Sequence, residues 1–293
     1  LRAEASPGAE PLRVHADDLG LHQAVNASIC ALHDAGALDS ASVLVTGPAI
    51  AGAQQACAER PALELALHLC LSEGLPAADP ALIPELLDGE GRLALGFGGL
   101  LLQGLLPPSW PRRRRLERQL ALEIAAQIDA FRRLFPDRAL RLDGHQHMHL
   151  VPLVWRQLRC LPPSRKPVWI RSLREPWPWQ GIPPALWIRS LQGLGPLKWL
   201  LLQGLNWGRR AELQRCGIAT NAGFCGVLFT GCMDAPVLAA AERLLRGRGG
   251  LVLAHPSRAL PPPEALTAYP LSRRFYASPW RQREAEALMR RTR

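Results

Sequence analysis

The sequence has no closely paired cysteines. Its seven cysteines are scattered over the 293 residues, at positions 30, 57, 70, 160, 216, 225 and 232. An odd, scattered set does not favour a disulfide framework. The pattern instead predicts buried thiols in a reducing compartment, and we take a cytoplasmic location as the default.

Long apolar runs are also missing. No uninterrupted apolar stretch reaches the length that a membrane-spanning helix needs. The first residues, Leu1 to Gly8, lack the charged and apolar regions of a secretory signal. We expect residues 1–10 to form a flexible leader and residues 11–293 to form one domain. This length fits a single α/β barrel, which commonly runs to ~250 residues.

Several chemical motifs are absent. Neither a Gly-rich phosphate loop nor a GxSxG elbow occurs, so the sequence gives no support for a kinase, a nucleotide-dependent enzyme or a serine hydrolase. The formal net charge of +10 suggests anionic partners. However, we expect the arginine runs to be solvated, including residues 112–115 and the tail from Arg281 to Arg293. Because no nucleic-acid-binding motif accompanies them, we expect no nucleic-acid partner.

The most informative stretch runs from Asp143 to Pro152 and reads DGHQHMHLVP. It holds three of the eight histidines of the chain, His145, His147 and His149. Imidazoles and carboxylates are the nitrogen and oxygen ligands that a divalent metal selects. The alternative is a solvated histidine run, or one core histidine with two solvated neighbours, because this spacing alone is not a zinc signature.

Short apolar runs alternate with helical patterns along the chain, which predicts βα units and a parallel sheet. Unusual polar residues directly follow the predicted strands. They are Asp17, Asp18, His68, Asp143, His145, Arg171 and His255. Because parallel α/β folds build their sites at the carboxyl ends of strands, we expect these residues to share one site. The Asp pair has a second interpretation, as an N-cap pair for the helix predicted over residues 25–37.

The residue types in this set predict metal-assisted hydrolysis. Asp18, His68 and His145 would supply three ligands and leave positions open for water and a substrate oxygen. Asp17 would accept a proton from water, and His255 would donate one to a departing amine.

Another predicted strand, residues 168–170, leads to three charged residues. These are Arg171, Arg174 and Glu175, and we assign them to substrate binding. Arg171 would orient a ligand or a catalytic acid through a bidentate contact.

Residues 176–207 are rich in Trp and Leu, with tryptophans at positions 177, 179, 187, 199 and 207. Arg189 and Lys198 interrupt the apolar runs, so the stretch does not predict a spanning helix. Two interpretations stay open. The stretch is either a core-packed insertion, at about residues 176–215, or an amphipathic lid or interfacial surface that contacts a membrane.

The sequence resembles the YdjC-like carbohydrate deacetylases at positions that follow one another along most of the chain. The matching stretches are 15–20 (HADDLG), 25–26 (VN), 36–48, 67–71 (LHLCL), 73–74 (EG), 142–152 (LDGHQHMHLVP), 170–171 (IR), 174–175 (RE) and 254–256 (AHP). The resemblance implies an irregular (β/α) barrel, a distorted TIM-like fold, that removes an N-acetyl group from an amino sugar with a divalent metal.

The resemblance also implies roles for individual residues. It places the metal on Asp18, His68 and His145, with Asp17 as the base and His255 as the acid. His147 and His149 then have the secondary role of shaping the site or binding substrate.

The chain departs from the family pattern at three places. Leu19 stands where the family usually has Phe, and Ala66-Leu67 stand where it has Gly before the histidine. The Trp/Leu-rich insertion matters more, because a soluble oligosaccharide needs no such surface. In this respect the chain looks closer to the members associated with amino-sugar-bearing hopanoid lipids.

We therefore expect an α/β protein, an irregular (β/α) barrel with an insertion, that acts as a metal-dependent hydrolase. It would release acetate from an N-acetylated amino sugar, either an N-acetylglucosamine-type glycan or a lipid-linked sugar. Mg²⁺ and Zn²⁺ rank ahead of Mn²⁺ and Co²⁺ as the cofactor.

Two rival functions stay open. One is a metal-dependent amidase or esterase on another sugar or small metabolite, and the other is a non-catalytic module that binds glycan or membrane. Peripheral contact with the inner membrane and a homodimer are further alternatives that the sequence leaves undecided.

Overall fold

The computed structural model describes residues 11–177, 179 and 181–291, and these form an α/β fold. The predicted leader, residues 1–10, lies outside the described residues. Seven strands occur in the described part of the chain. They are β1 (Leu12–Leu19), β2 (Ser40–Val43), β3 (Glu64–Leu69), β4 (Arg141–Gly144), β5 (Trp169–Ile170), β6 (Phe224–Cys225) and β7 (Gly250–Ala254).

The same residues contain α-helices and short 3-10 helices between and after the strands. The α-helices are α1 (Gln23–Asp34), α2 (Ile50–Ala58), α3 (Phe97–Gln103), α4 (Pro111–Leu134), α5 (Pro152–Arg159), α6 (Pro184–Gln192), α7 (Gly195–Asn206), α8 (Arg209–Arg215), α9 (Ala235–Leu245), α10 (Arg273–Tyr276) and α11 (Trp280–Arg290). The 3-10 helices are Pro80–Leu82, Pro84–Leu86, His145–Leu150, Pro163–Arg165 and Pro263–Leu266.

The strands form one parallel sheet in the order β5-β4-β3-β2-β1-β7-β6. Strands such as β2 and β7 are buried at every position, as parallel strands covered on both faces must be. The sheet curls, and hydrogen bonds of 3.0 Å from Ile170 N to Ala219 O and from Phe224 N to Arg174 O join the segment around β6 to the other edge. The expected irregular (β/α) barrel is confirmed.

The spacing of apolar residues predicts an amphipathic helix over about residues 113–135. Helix α4 is found there and packs against the sheet through this apolar stripe. All five stripe residues are buried, namely Leu116, Leu120, Ile124, Ile128 and Phe131. The helix ends at Leu134 because Pro136 disfavours helical geometry at the residue before it. The Gln127 side chain accepts a hydrogen bond from Cys70 N at 3.1 Å, which anchors the chain just beyond β3.

The apolar run GVLFT at residues 226–230 predicts a strand, and this prediction is wrong. Residues 227–230 form a bend and a turn, and the strand in this region is the shorter β6, which ends at Cys225. The cause is Glu175, whose buried carboxylate accepts hydrogen bonds from Gly226 N and Val227 N at 2.8 and 3.0 Å. Backbone donors that bind a carboxylate are not available to a strand ladder.

Two expectations about exposure are also wrong in part. The arginine runs are not solvated throughout. Arg113 in the run at residues 112–115 is buried, and so are Arg281 and Glu284 in the basic tail. Among the free cysteines, Cys160 and Cys216 are exposed while the other five are buried.

The Trp/Leu-rich stretch forms helices α6 to α8 between β5 and β6. Trp179 is buried in the core, as the insertion packed into the core predicts. Trp207 is 87% exposed, as the surface interpretation predicts, so neither interpretation holds for the whole stretch. Among the described residues, no helix is both long enough and apolar enough to cross a membrane.

Candidate active site

The carboxyl edge of the sheet brings together side chains from four strands and the residues that follow them. β1 carries Asp17 and Asp18 near its end, β3 carries His68, and His145 follows β4 directly. His255 follows β7. Parallel strands that are neighbours in one sheet place these residues at the same end of the barrel.

Asp18, His68 and His145 have ligand atoms that all lie within 4.8 Å of one another, and all three residues are buried. Asp18 Oδ1 lies 3.8 Å from His68 Nε2 and 3.9 Å from His145 Nδ1. Two imidazole nitrogens therefore face one carboxylate oxygen across a space that a cation would occupy.

Two further carboxylates orient the imidazoles. His68 Nδ1 lies 2.6 Å from Asp143 Oδ1, and His145 Nε2 lies 2.7 Å from Glu73 Oε1. A carboxylate accepts a hydrogen bond from the N–H of the ring nitrogen that it contacts, which leaves the opposite nitrogen without a proton and able to bind a metal. The free nitrogens are the two that face Asp18.

Asp17 is held by a buried arginine. The Arg171 guanidinium donates to Asp17 Oδ2 from NH1 at 3.0 Å and to Oδ1 from NH2 at 2.7 Å. Burial by itself would raise the pKa of Asp17, but Arg171 and then His68 outweigh it, and the pKa lies well below its usual value. Asp17 is therefore an anion of fixed orientation at neutral pH.

Asp18 is held by residues near the end of the chain. Arg281 NH1 donates to Asp18 Oδ2 at 2.9 Å, and Tyr276 Oη donates to Oδ1 at 3.2 Å. Burial opposes ionisation, yet Arg281 and the nearby histidines lower the pKa of Asp18. Neither aspartate caps α1, because His22 provides the side-chain cap there, and the N-cap interpretation is wrong.

His255 completes the cluster on the side of β7. Its Nε2 lies 3.8 Å from Asp17 Oδ2, and its ring packs edge-on against Phe275 at 4.9 Å between centroids. Burial lowers the pKa of His255 to about 4, although Asp17 and Asp18 act in the opposite direction. The imidazole is therefore neutral at pH 7.

The charges of the cluster suit a divalent cation. The cluster contains four carboxylates. Asp18 is itself a candidate ligand, whereas Asp17 and Asp143 contact His68 and Glu73 contacts His145. The described residues place two guanidiniums against these carboxylates, Arg171 and Arg281. Metal binding requires neutral imidazoles, and with neutral imidazoles the cluster holds two negative charges in excess. The same excess raises the pKa of His68, because Asp17 and Asp143 outweigh the effect of burial. Burying such an excess is costly unless a cation compensates it. The residues present therefore fit a divalent metal.

A cavity of about 400 Å³ opens above this cluster. Its floor is polar and consists of Asp17, Asp18, His68, His145, His147 and His255. Its wall is largely apolar and consists of Phe97, Leu201, Leu202, Val227, Leu271 and Phe275. Lys198 of α7 also lines the cavity, so the Trp/Leu-rich stretch contributes directly to the site.

The structure separates the residues that the sequence assigns to substrate binding. His147 lines the cavity, and its Nδ1 has no hydrogen-bond partner among the described residues. The others are not part of the lining. His149 is buried with Nε2 3.1 Å from Arg171 O, Arg174 is exposed, and Glu175 binds the backbone after β6.

Several residues that hold the site in place have no role of their own in the sequence prediction. Asp143 is among the residues expected at the site, and Glu73 lies inside a matching motif that could have drawn attention to it. Arg281 and Glu284 carry no such signal, because they look like ordinary charges of an amphipathic helix.

Comparison with known proteins identifies the family of this chain. The profile of the YdjC-like proteins matches residues 11–292. The chain belongs to the YdjC-like family. It is also similar to a crystal structure from Enterococcus faecalis, of a protein whose name refers to cellobiose-phosphate cleavage. The TM-score is 0.63 at 17% identity, over 96% of this chain and 91% of that one, which shows the shared fold.

Curated relatives of this YdjC-like protein are named for deacetylation. The chain is 32% identical over 144 residues to a chitooligosaccharide deacetylase of Escherichia fergusonii, a match that covers 49% of this chain and 52% of the relative. A carbohydrate deacetylase of Brevibacillus brevis is 30% identical over 143 residues, with the same coverage. The chain thus spans about half the length of the curated relatives that it matches.

Proposed function

We propose that this protein is a metal-dependent deacetylase that removes the N-acetyl group of an amino sugar and releases acetate. One observation carries the proposal. The Asp18, His68 and His145 cluster lies on the floor of a cavity, directly beside an ionised Asp17 and a neutral His255. The names of the curated relatives support the reaction class.

Asp18, His68 and His145 would hold the cation. When bound, a divalent metal polarises an amide carbonyl and makes water more acidic. The contacts of His68 with Asp143 and of His145 with Glu73 keep the correct ring nitrogens facing the site.

Asp17 takes the proton of the attacking water. It is ionised at neutral pH, and Arg171 holds both of its oxygens, so its orientation does not change during the reaction. Its low pKa makes it a weak base, which suits water that has already become more acidic.

His255 delivers the proton to the leaving amine. Because its imidazole starts neutral, it first has to receive a proton. Its Nε2 lies 3.8 Å from Asp17 Oδ2, which is longer than a hydrogen bond. Closing this gap when substrate binds would let the proton taken from water pass from Asp17 to His255 and then to the amine nitrogen. The amide C–N bond breaks, acetate leaves with the water oxygen, and the amine carries the proton.

The cavity wall favours a substrate that is larger and more apolar than a free sugar. The sugar and its N-acetyl group would occupy the polar floor, and an attached apolar group would lie along Leu201, Leu202 and Leu271. Leu197 and Leu200, on the same helix α7, are 62% and 63% exposed. These residues support contact with a membrane surface and hence a lipid-linked amino sugar.

The test compares purified wild type with His145→Ala and with His33→Ala. His33 is the matched control, because it lies in α1 and does not line the cavity. Metal content is measured together with acetate release from N-acetylglucosamine oligomers and from an N-acetylglucosaminyl lipid. We expect metal and acetate release in the wild type and the His33 variant, and neither in His145→Ala.

Two results would count against the proposal. Wild type that binds no metal under any loading condition would remove its basis. Metal binding with ester or other amide hydrolysis, but no deacetylation, would favour the rival amidase or esterase that uses the same site.

A further inference from the structure

Arg281 is a fully buried cation on the first turn of α11. It binds only one oxygen of Asp18, through the 2.9 Å contact between NH1 and Oδ2. The other oxygen, Oδ1, is the one that faces His68 Nε2 and His145 Nδ1. The two oxygens of Asp18 therefore have different partners.

The contacts of Arg281 are unusual for a buried arginine. Its Nε and NH2 have no hydrogen-bond partner among the described residues. The rings of Phe275 and Tyr276 lie 5.6 and 5.1 Å from the guanidinium carbon. Leaving buried N–H donors unpaired is costly. An arginine that served the fold alone would pair them, so the position of this guanidinium favours a role at Asp18.

The helix that carries Arg281 is anchored to the end of β7. Arg281 O accepts a hydrogen bond from Ser257 N at 3.0 Å. One turn later, Glu284 accepts hydrogen bonds from His255 N at 2.6 Å and from Met233 N at 3.2 Å. The guanidinium is therefore held against Asp18 by a helix that cannot shift without disturbing His255.

Asp18 is a residue that needs such a restraint. Its φ of +74° lies in the left-handed region, which is uncommon for residues other than glycine, although aspartate adopts it more readily than most. The backbone does not fix the rotation of the carboxylate about its own side-chain bonds, so contacts from elsewhere in the fold have to fix it.

We propose that Arg281 is a positioning residue that restrains Asp18, so that this carboxylate binds a cation through Oδ1 alone. The inference rests on the proposed metal-dependent function. A carboxylate that binds through one oxygen occupies one coordination position and leaves more positions open for water and substrate. Arg281 would thus control how many positions the protein fills.

The direction in which metal affinity changes when Arg281 is replaced distinguishes a positioning role from a purely electrostatic effect of its charge. A guanidinium repels a nearby cation, so removing its charge would tighten metal binding if charge were all that mattered. Positioning predicts the opposite result, because an unrestrained Asp18 would no longer be preorganised.

The experiment measures Zn²⁺ affinity, by competition with a chromophoric chelator, in Arg281→Met, Arg281→Lys and Arg290→Met. Arg281→Met keeps an unbranched apolar side chain without the charge, and Arg281→Lys keeps the charge with a different donor geometry. Arg290 is the control because it is an exposed arginine of the same helix. Absorption spectra of the Co²⁺-loaded proteins report the coordination number.

We expect Zn²⁺ affinity to fall about 10- to 100-fold in Arg281→Met and by less in Arg281→Lys, the size expected when a group that orients a ligand is lost. The Co²⁺ absorption should weaken as Asp18 comes to bind through both oxygens. Arg290→Met should match the wild type in both measurements.

Unchanged or tighter Zn²⁺ binding in Arg281→Met, with an unchanged Co²⁺ spectrum, would overturn the inference. If that variant does not fold, Arg281→Lys decides alone, and wild-type affinity and spectrum there would overturn it. Acetate release by wild type decides the proposed reaction, whereas affinity across the Arg281 series decides this inference. The two can therefore fail separately, and wild type that binds no Zn²⁺ would overturn both.

Discussion

The floor and the wall of the cavity are built in different ways. On the floor, charge-assisted hydrogen bonds hold the side chains, as in the pairs of Asp17 with Arg171 and of His68 with Asp143. On the wall, apolar side chains such as that of Leu201 can make no hydrogen bonds of their own, and Leu201 is 42% exposed. The floor therefore has one well-defined geometry that suits chemistry. Residues of the wall can be substituted without disturbing that geometry, so the wall suits the selection of a substrate.

Removing a ligand from the floor should have the largest effect. We expect Asp18→Asn to lose bound metal and all acetate release, because the carboxylate is the only charged member of the ligand set. Elemental analysis and an acetate assay check this, with Asp34→Asn on the exposed end of α1 as the control. Stoichiometric metal in Asp18→Asn would remove Asp18 from the ligand set.

Changing the proton acceptor should separate metal binding from turnover. We expect Asp17→Asn to keep the metal and to lose about 10²- to 10⁴-fold in kcat, the usual contribution of a general base. Elemental analysis and steady-state kinetics on the same preparation measure both quantities. A kcat close to that of the wild type would show that another group accepts the proton.

Changing a carboxylate that orients an imidazole should have a smaller effect. We expect Glu73→Gln to weaken Zn²⁺ binding about 10- to 100-fold, because His145 loses the anion that fixes its ring. Glu85→Gln, at a partly exposed glutamate that pairs with Arg115, is the matched control. Equal affinities in the two variants would mean that packing alone orients His145.

Changing the wall should have the smallest effect, and the effect should depend on the substrate. We expect Leu201→Ser to leave kcat/KM for water-soluble oligomers unchanged and to lower it about tenfold for a lipid-linked amino sugar, the loss expected for about 1.4 kcal/mol of apolar contact. Leu191→Ser, at an exposed leucine of α6 outside the cavity lining, is the control. Equal losses on both substrates would indicate that Leu201 supports the fold and does not select the substrate.

Local patterns were enough to predict which polar residues the fold brings together at one edge of the sheet, because each follows an apolar run. Asp17, His68 and His255 each stand at or after a strand end that the alternation of apolar segments reveals. Local patterns failed where a distant side chain decides the local structure. The predicted strand at residues 226–230 competes with Glu175, which lies about fifty residues earlier in the chain and takes up the backbone donors.

The sequence by itself determined the βα alternation, the stripe of α4 and the edge of the sheet where polar groups meet, since each depends on residues that are close together in the chain. Only the tertiary structure decided which groups surround each carboxylate. Arg171 reaches Asp17 across 154 positions and Arg281 reaches Asp18 across 263. Such contacts depend on how the barrel curls and on where α11 packs, and no local pattern of charges distinguishes Arg281 from an exposed arginine of the same helix.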